Sequence, residues 1–270
     1  MLNLKILKII QQAFLVNIAM ILTLQSQAAQ ILNFEGRATD LKTSRLLYIE
    51  NHKVIIDDAG QYLSAYVTYS NPQGEIFAEK TLDYVKNALM PELMFYDKRS
   101  EERTTVLLDN TQSHFQVLIE SGKNRKQSMV KLDEPLIVVD AGFDRLIESR
   151  WNTLRKVKEL DFTFLAITRA QLINFEAIEI KANENLINVE LHPRNFFINI
   201  LVKPISLEYD QHTKRLLSFE GLTNIEEFKD GQRTEENYIA RIAYRYQALK
   251  PFSIVSLGAV ESRSKAVESN

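Results

Sequence analysis

Asp140, Asp144 and Glu148 stand four residues apart, a spacing that would line three carboxylates along one face of a helix. Such a stripe could hold a divalent cation or divide acid and base work between two groups. The structural alternative makes Asp140 an N-cap and sets Asp144 beside the positive end of the helix dipole, with Arg145 balancing Asp144 and Glu148; it is the preferred reading. The four histidines, His52, His114, His192 and His212, are too far apart in sequence to pair as metal ligands on one element. His52 and His212 are expected in solvated turns, His114 and His192 on strand surfaces. There is no Gly-x-Gly pair, P-loop, His-Glu-x-x-His or Gly-x-Ser-x-Gly. Eight glycines are about half the usual share, which argues against a phosphate-cradling loop. The chain has no cysteine, which removes disulfides, thiol catalysis and thiolate metal sites together. A hydrolase would have to assemble Asp140, Asp144 or His114 by folding alone, so the expectation is a protein that is not an enzyme and has no metal or cofactor.

Apolar segments offer a different chemistry. Phe143, Leu146, Ile147, Trp151, Leu154 and Val157 recur at three- and four-residue spacing and predict one amphipathic helix over about 141–158. Its basic end carries Arg155, Lys156 and Lys158. The stretch from Ala88 to Tyr96 combines Met90, Leu93, Met94 and Phe95 with a ladder-blocking Pro91. If exposed, it would form a pliable apolar lip. Asn195 to Val202 is apolar on both strand faces, with Phe197 among its residues. Core packing is the first explanation for the last two segments. If any of them binds an apolar ligand, the residues are Trp151, Phe143, Ile147, Leu154, Met90, Met94, Phe95 and Phe197.

The elements that would position these residues are strands. Apolar and polar residues alternate at period two through most of the chain, the pattern of antiparallel strands with one buried face. In the last of them Tyr238, Ala240, Ile242, Tyr244 and Tyr246 share one face, while Arg241 and Arg245 take the other. Turn signals such as Asn71-Pro72-Gln73-Gly74 and Ser121-Gly122-Lys123-Asn124 separate the runs. Lys123, Arg125 and Lys126 around the second turn could touch anionic lipid headgroups, although three charges on a turn are ordinary. Glu101, Glu102 and Arg103 read as a solvated strand edge.

Residues 1–28 read as a secretory signal peptide: Lys5 and Lys8, an apolar stretch from Ala13 to Leu24, then Ser26-Gln27-Ala28 before a cut near Ala29. The apolar stretch falls short of the roughly 20 residues that a spanning helix requires. Localisation in the periplasm follows as an expectation. Loss of Lys5 and Lys8 takes the net charge from −2 to −4, a mildly acidic balance that argues against nucleic acid as a partner. Residues 29–247 are expected to form a single β-rich domain, the alternative being two sheets, 29–139 and 160–247, joined by the helix. The serine- and charge-rich tail 248–270 is expected to be flexible.

A signal peptide, a long antiparallel meander, one helix inserted midway and no catalytic signature together resemble the architecture of the periplasmic lipoprotein carriers. These are unclosed β-barrels that hold an apolar cavity under a helix. Val139-Asp140-Ala141-Gly142-Phe143-Asp144 and Pro204-Ile205-Ser206-Leu207-Glu208-Tyr209-Asp210 are also similar to stretches of uncharacterised exported bacterial proteins. The expected fold is therefore mainly β, a large curved antiparallel sheet or unclosed barrel with the helix packed on it. The carrier resemblance implies a non-catalytic protein that binds an apolar or lipid-like ligand, or a lipidated partner, between the concave sheet and the helix bearing Trp151. The alternative is an envelope assembly or scaffold protein acting by contact with another protein, with peripheral membrane contact also conceivable; a hydrolase ranks third. An integral outer-membrane barrel fits poorly, since Glu79, Lys80 and the helix do not suit a lipid-facing band.

Overall fold

Residues 29–194, 204–229 and 231–251 are described by a computed structural model, without the side chain of Glu235. The signal peptide, Phe197 with its apolar strand, and nearly all of the tail lie outside the described residues.

The period-two runs become β1 (Gln30–Asp40), β2 (Leu46–Ile56), β3 (Tyr62–Ser70), β4 (Ile76–Asp83), β5 (Glu92–Asp97), β6 (Glu102–Leu108), β7 (His114–Ser121) and β8 (Asn124–Lys131) in the first half of the chain. The second half supplies β9 (Ile137–Val138), β10 (Glu159–Ala166), β11 (Gln171–Ala182), β12 (Leu186–Pro193), β13 (Ile205–Asp210), β14 (Leu216–Lys229) and β15 (Gln232–Tyr246). Between β9 and β10 lie two helices, α1 (Gly142–Ser149) and α2 (Trp151–Val157).

All of these strands join one sheet in the order β8-β7-β6-β5-β4-β3-β2-β1-β15-β14-β13-β12-β11-β10-β9. Neighbours are antiparallel except β9 and β10, which run parallel, so the sheet is mixed rather than wholly antiparallel. The seam between the halves is the pairing of β1 with β15, from Phe34 opposite Tyr246 to Asp40 opposite Ala240. The two ends of the sheet, β8 and β9, are successive in sequence and separated only by residues 132–136. At about 3.3–3.6 Å per extended residue, six steps from Lys131 to Ile137 span at most about 20 Å. The short connection therefore forces the sheet to curl until its ends approach. It does not close: β8 and β9 are not neighbours in the ladder, and a two-residue strand offers little backbone for an eight-residue strand to pair with.

Three apolar clusters line the curled sheet. One brings Val130 of β8 together with Ile137, Val139 and Leu165 from the far end, so side chains bridge what the backbone leaves open. Another joins Leu146, Ile147, Trp151 and Leu154 of the helices to Phe162, Ala177, Ile187, Val189, Leu207 and Tyr209. A third joins Ala38, Tyr48, Val67 and Tyr69 to Ile225, Ala240 and Ile242. The alternation expected in β15 holds: Ala240 and Ile242 are buried, Arg241 and Arg245 exposed.

The single helix expected over 141–158 is two helices broken at Arg150, whose φ of −102° and ψ of 14° leave the helical region. The break turns Trp151 and Leu154 into the same apolar cluster as Leu146 and Ile147. Asp140 is not the N-cap: that position is Ala141, with no side-chain capping bond. Two elements lacked a periodic signal in the sequence. β9 is too short to show one, and β5 begins immediately after Pro91; proline at the threshold costs the ladder nothing, because the missing N–H lies outside the paired residues.

The helical segment passes close to residues 87–90, where Val139 donates its N–H to the Leu89 carbonyl at 3.0 Å. A Cβ on Gly142 would overlap that same carbonyl oxygen. Gly142→Ala should therefore destabilise the protein by about 3 kcal/mol, the range for overpacking against backbone that cannot yield, as a drop in urea midpoint at unchanged slope.

Candidate functional site

The concave face of the sheet is where an apolar ligand would lie, and side chains of the helices occupy it. Leu146 and Leu154 are fully buried and Ile147 nearly so, while Trp151 is 6% exposed and meets Tyr209 edge-on at a centroid distance of 6.0 Å. Phe143 is half-buried against the same cluster. Met90 and Phe95 are half-buried against the neighbouring cluster. Met94 points outward, 41% exposed, and its sulfur accepts from Arg103 at 3.1 Å. The supposed lip is thus mostly β5, paired with both β4 and β6, and its residues divide between the two faces of the sheet. Trp151, Ile147, Leu154 and Phe143 come together; Met90 and Phe95 belong to a different cluster, and Met94 to the opposite face. Phe197 lies outside the described residues.

Polar contacts hold the helical segment against the first half of the sheet. Lys80 of β4, nearly all its side chain buried, donates to both carboxylate oxygens of Asp140 at 2.8 and 3.1 Å. Asp140 also accepts from the Ala141 N–H at 2.8 Å and from the Asn224 amide at 3.0 Å. Its φ of 46° lies in the left-handed region, uncommon for a residue other than glycine, and the three donors hold it there. Asp144 receives Arg145 at 2.7 Å, and Arg145 also pairs with Glu148 while its guanidinium lies 3.7 Å from the centre of the Tyr62 ring. Each carboxylate of the stripe is therefore matched by a cation. The balancing by Arg145 is as the sequence suggests, but Asp140 anchors to Lys80 instead of capping, and Asp144 and Arg145 are largely buried rather than a surface stripe.

A second polar node sits where β1, β2 and β15 meet. Glu50, 5% exposed, bonds His52 at 2.9 Å and accepts from the Tyr244 hydroxyl at 3.4 Å. Gly36 lies between them in the ladder, opposite both Glu50 and Tyr244. A Cβ there would come within 2.8 Å of the Tyr244 ring, so only glycine lets that ring cross the strand to reach Glu50. His52, expected in a solvated turn, is instead mid-strand and stacked on Phe34 with ring centroids 4.2 Å apart. His192 pairs with Glu190 at 3.0 Å and His114 lies 3.7 Å from Asp109, so the two strand-surface histidines each have a local carboxylate. His212 lies in the turn between β13 and β14, as expected.

Among the described residues Glu159, Asp161 and Glu176 approach closely enough to share a cation, and Arg194 fills that role at 2.9, 2.7 and 3.4 Å. An open pocket of about 460 Å³ is lined by Leu47, Ile76, Phe77, Phe228 and Tyr238 with Arg99. The Arg99 guanidinium is stacked between Phe77 and Phe228, 4.0 and 4.2 Å from their ring centres, and is bonded to Asp97 at 2.6 Å. Lys98, which also lines the pocket, is paired with Glu79 at 2.7 Å, so both cations there are already committed.

The outer face of β5 to β8 differs from these satisfied regions. In the ladder Leu107 lies opposite Gln116, which lies opposite Met129; one row further, Met94, Thr105, Leu118 and Gln127 form the next line. Leu107 is 44% and Met129 60% exposed. With Met94 and half-buried Leu118 they form a diagonal line of apolar residues, interleaved with Thr105, Gln116 and Gln127, that reaches β8. Sequence reasoning missed this line, because outward positions in a strand carry no mark of which strand will lie next to them.

No protein-family model matches the chain, and no curated protein matches it in sequence. Among solved structures it is similar to a β-barrel-like protein of a domain of unknown function, DUF1849, from Brucella abortus. That match has a TM-score of 0.39 and 6% identity, over 84% of this chain and 98% of the other. It is also similar to a porin-like protein from Bacteroides uniformis, with a TM-score of 0.22 and 10% identity, over 80% of this chain and 97% of the other. Neither likeness assigns a function.

Two outcomes follow from the buried polar groups. Lys80→Met leaves the Asp140 carboxylate buried without its cation and should cost about 3–5 kcal/mol, most of it recovered when Asp140→Asn is added; urea denaturation of the single and double variants measures both. The second concerns phenols. Burial pushes Tyr62 up to about 12, and burial likewise raises Tyr84 and Tyr69. The unfolded chain releases these protons near pH 10 while the native protein holds them. The contribution of Tyr62 is thus complete below about pH 10 and is lost as pH rises through about 12, while those of Tyr84 and Tyr69 go on falling above it. Urea midpoints should fall over that window, and Tyr62→Phe should make the fall shallower.

Proposed function

We propose that this chain is an exported envelope protein that works without catalysis, by holding another protein through the outer face of its sheet. The observation that carries this reading is the division of apolar surface. The concave side that a ligand carrier would keep open is occupied along β10 to β13 by Leu146, Ile147, Trp151 and Leu154, whereas Met94, Leu107 and Met129 stand exposed on one outer face. Apolar side chains gathered on an outer face are the usual mark of a contact surface. Export rests on the leader-like residues 1–28, and the absence of cysteine suits a protein whose stability comes from packing alone. In the carrier alternative, a ligand would have to displace the helices and break the Lys80–Asp140 pair to gain the same face.

Two measurements on the protein purified from a periplasm test this. Organic extraction followed by mass spectrometry should release no stoichiometric acyl species, and a photo-crosslinking side chain at Met129 should yield a discrete protein adduct that the same probe at Ile239 does not. A one-to-one lipid that is lost when Trp151→Glu is made in a still-folded protein would transfer the function to the concave face.

A further inference from the structure

Among the described residues the edge of β8 is a long stretch of backbone with no pairing strand. Its eight residues pair regularly with β7 from Ser121 opposite Asn124 to His114 opposite Lys131, with no register shift. Among the described residues the only other backbone hydrogen bond near it comes from Leu132, which donates to Ser113 beyond the strand end. Proteins usually protect such an edge by shortening it, bulging it, inserting proline or covering it. Among the described residues β8 is neither short nor bulged, carries no proline and has no cover. The opposite end of the sheet is protected by brevity, since β9 has two residues and both are buried.

What β8 carries instead is charge of one sign. Lys123, Arg125, Lys126 and Lys131 are all exposed, and residues 123–131 contain no acid. Arg125 lies 3.7 Å from Glu120 and Lys131 3.6 Å from Asp133, both loose surface contacts, while Lys123 and Lys126 have no carboxylate within 4.0 Å among the described residues. The concentration is local, because the chain as a whole is acidic. Positive charge on an edge repels a second copy of the same edge, so it prevents self-pairing, yet it attracts a strand of opposite sign. Along β8, Arg125, Gln127, Met129 and Lys131 take the outer face, which also bears Met94, Leu107 and Leu118, while Lys126 takes the inner face.

We propose that β8 receives an extended acidic segment of a partner protein as an added strand, its backbone completing the β8 ladder and the carboxylates of one of its faces meeting Arg125 and Lys131 beside Met129. This rests on the contact role proposed above and states the chemistry of the partner. A membrane surface would use the same charges but would leave the backbone edge unpaired, so the regular edge favours a peptide.

The test uses the mature protein and three fluorescent peptides of about ten residues, the length of a typical strand with flanks: one alternating valine and glutamate, one with lysine replacing glutamate, and one acidic peptide interrupted by proline. The acidic peptide should bind saturably and more weakly as salt rises. It should slow amide exchange within residues 124–131. The lysine and proline peptides should bind at least about tenfold more weakly, as should the acidic peptide to the R125E/K131E variant. R125E alone, at an exposed outer-face residue whose ion contact is the loose one to Glu120, should weaken binding by a smaller factor at unchanged urea midpoint, which separates lost charge from lost folding. Equal binding of the three peptides, exchange slowed elsewhere, or binding only to vesicles of phosphatidylglycerol would overturn the proposal. If the Met129 crosslink persists while the acidic peptide fails, the contact role stands and strand addition falls. Loss of both removes both.

Discussion

Lys80 and Asp140 meet 2.8 Å apart across a separation of sixty residues, and the interior of the protein is organised around that contact. Lys80 stands in β4, in the first half of the sheet, and Asp140 begins the segment that bears both helices. Two charges taken out of water at this depth are stabilising only as a pair, since either alone would carry several kcal/mol of desolvation. The pair therefore specifies where the helical segment sits. With Asp140 fixed, Gly142 passes beneath the Leu89 carbonyl, Arg145 reaches the Tyr62 ring, and Leu146 and Ile147 enter the cluster lined by β10 to β13.

Closure of the sheet is opposed by an inequality of its ends. The five residues between β8 and β9 hold the edges near one another, as a barrel would require, but eight residues of β8 face two of β9. The open seam is bridged from inside by Val130, Ile137 and Leu165, which stabilise the curl without satisfying the β8 backbone. Apolar contact is tolerant of geometry and hydrogen bonding is not. This difference explains how a sheet can be closed as a core and open as a ladder.

The filled concave face changes the meaning of the helix. Its apolar spacing fits equally a wall that touches a ligand and a plug that replaces one, because burial of Trp151 against Tyr209 or against an acyl chain removes the same kind of surface from water. Trp151, Ile147 and Leu154 were legible in the sequence as one buried face. That the surface they bury against is the chain's own sheet was not. Met90, Met94 and Phe95 show the complementary case: adjacent in sequence and similar in chemistry, they are divided by the pleat of β5 and its approach between two faces.

Local periodicity determined the strands, their inward and outward faces, and the existence of a helical segment near 141–158, since each depends on spacings of two, three or four residues within one stretch. It also limited the chemistry, through the absent cysteines and glycine motifs. Tertiary structure alone decided the break at Arg150, the use of Asp140 as an anchor, the crossing of Tyr244 over Gly36 and the identity of β8 as the free edge. Each of these is a relation between residues far apart in the chain, where many partners of suitable charge or size exist. The choice among them is made by the order in which strands pair and by the cost of leaving a buried polar group unmatched.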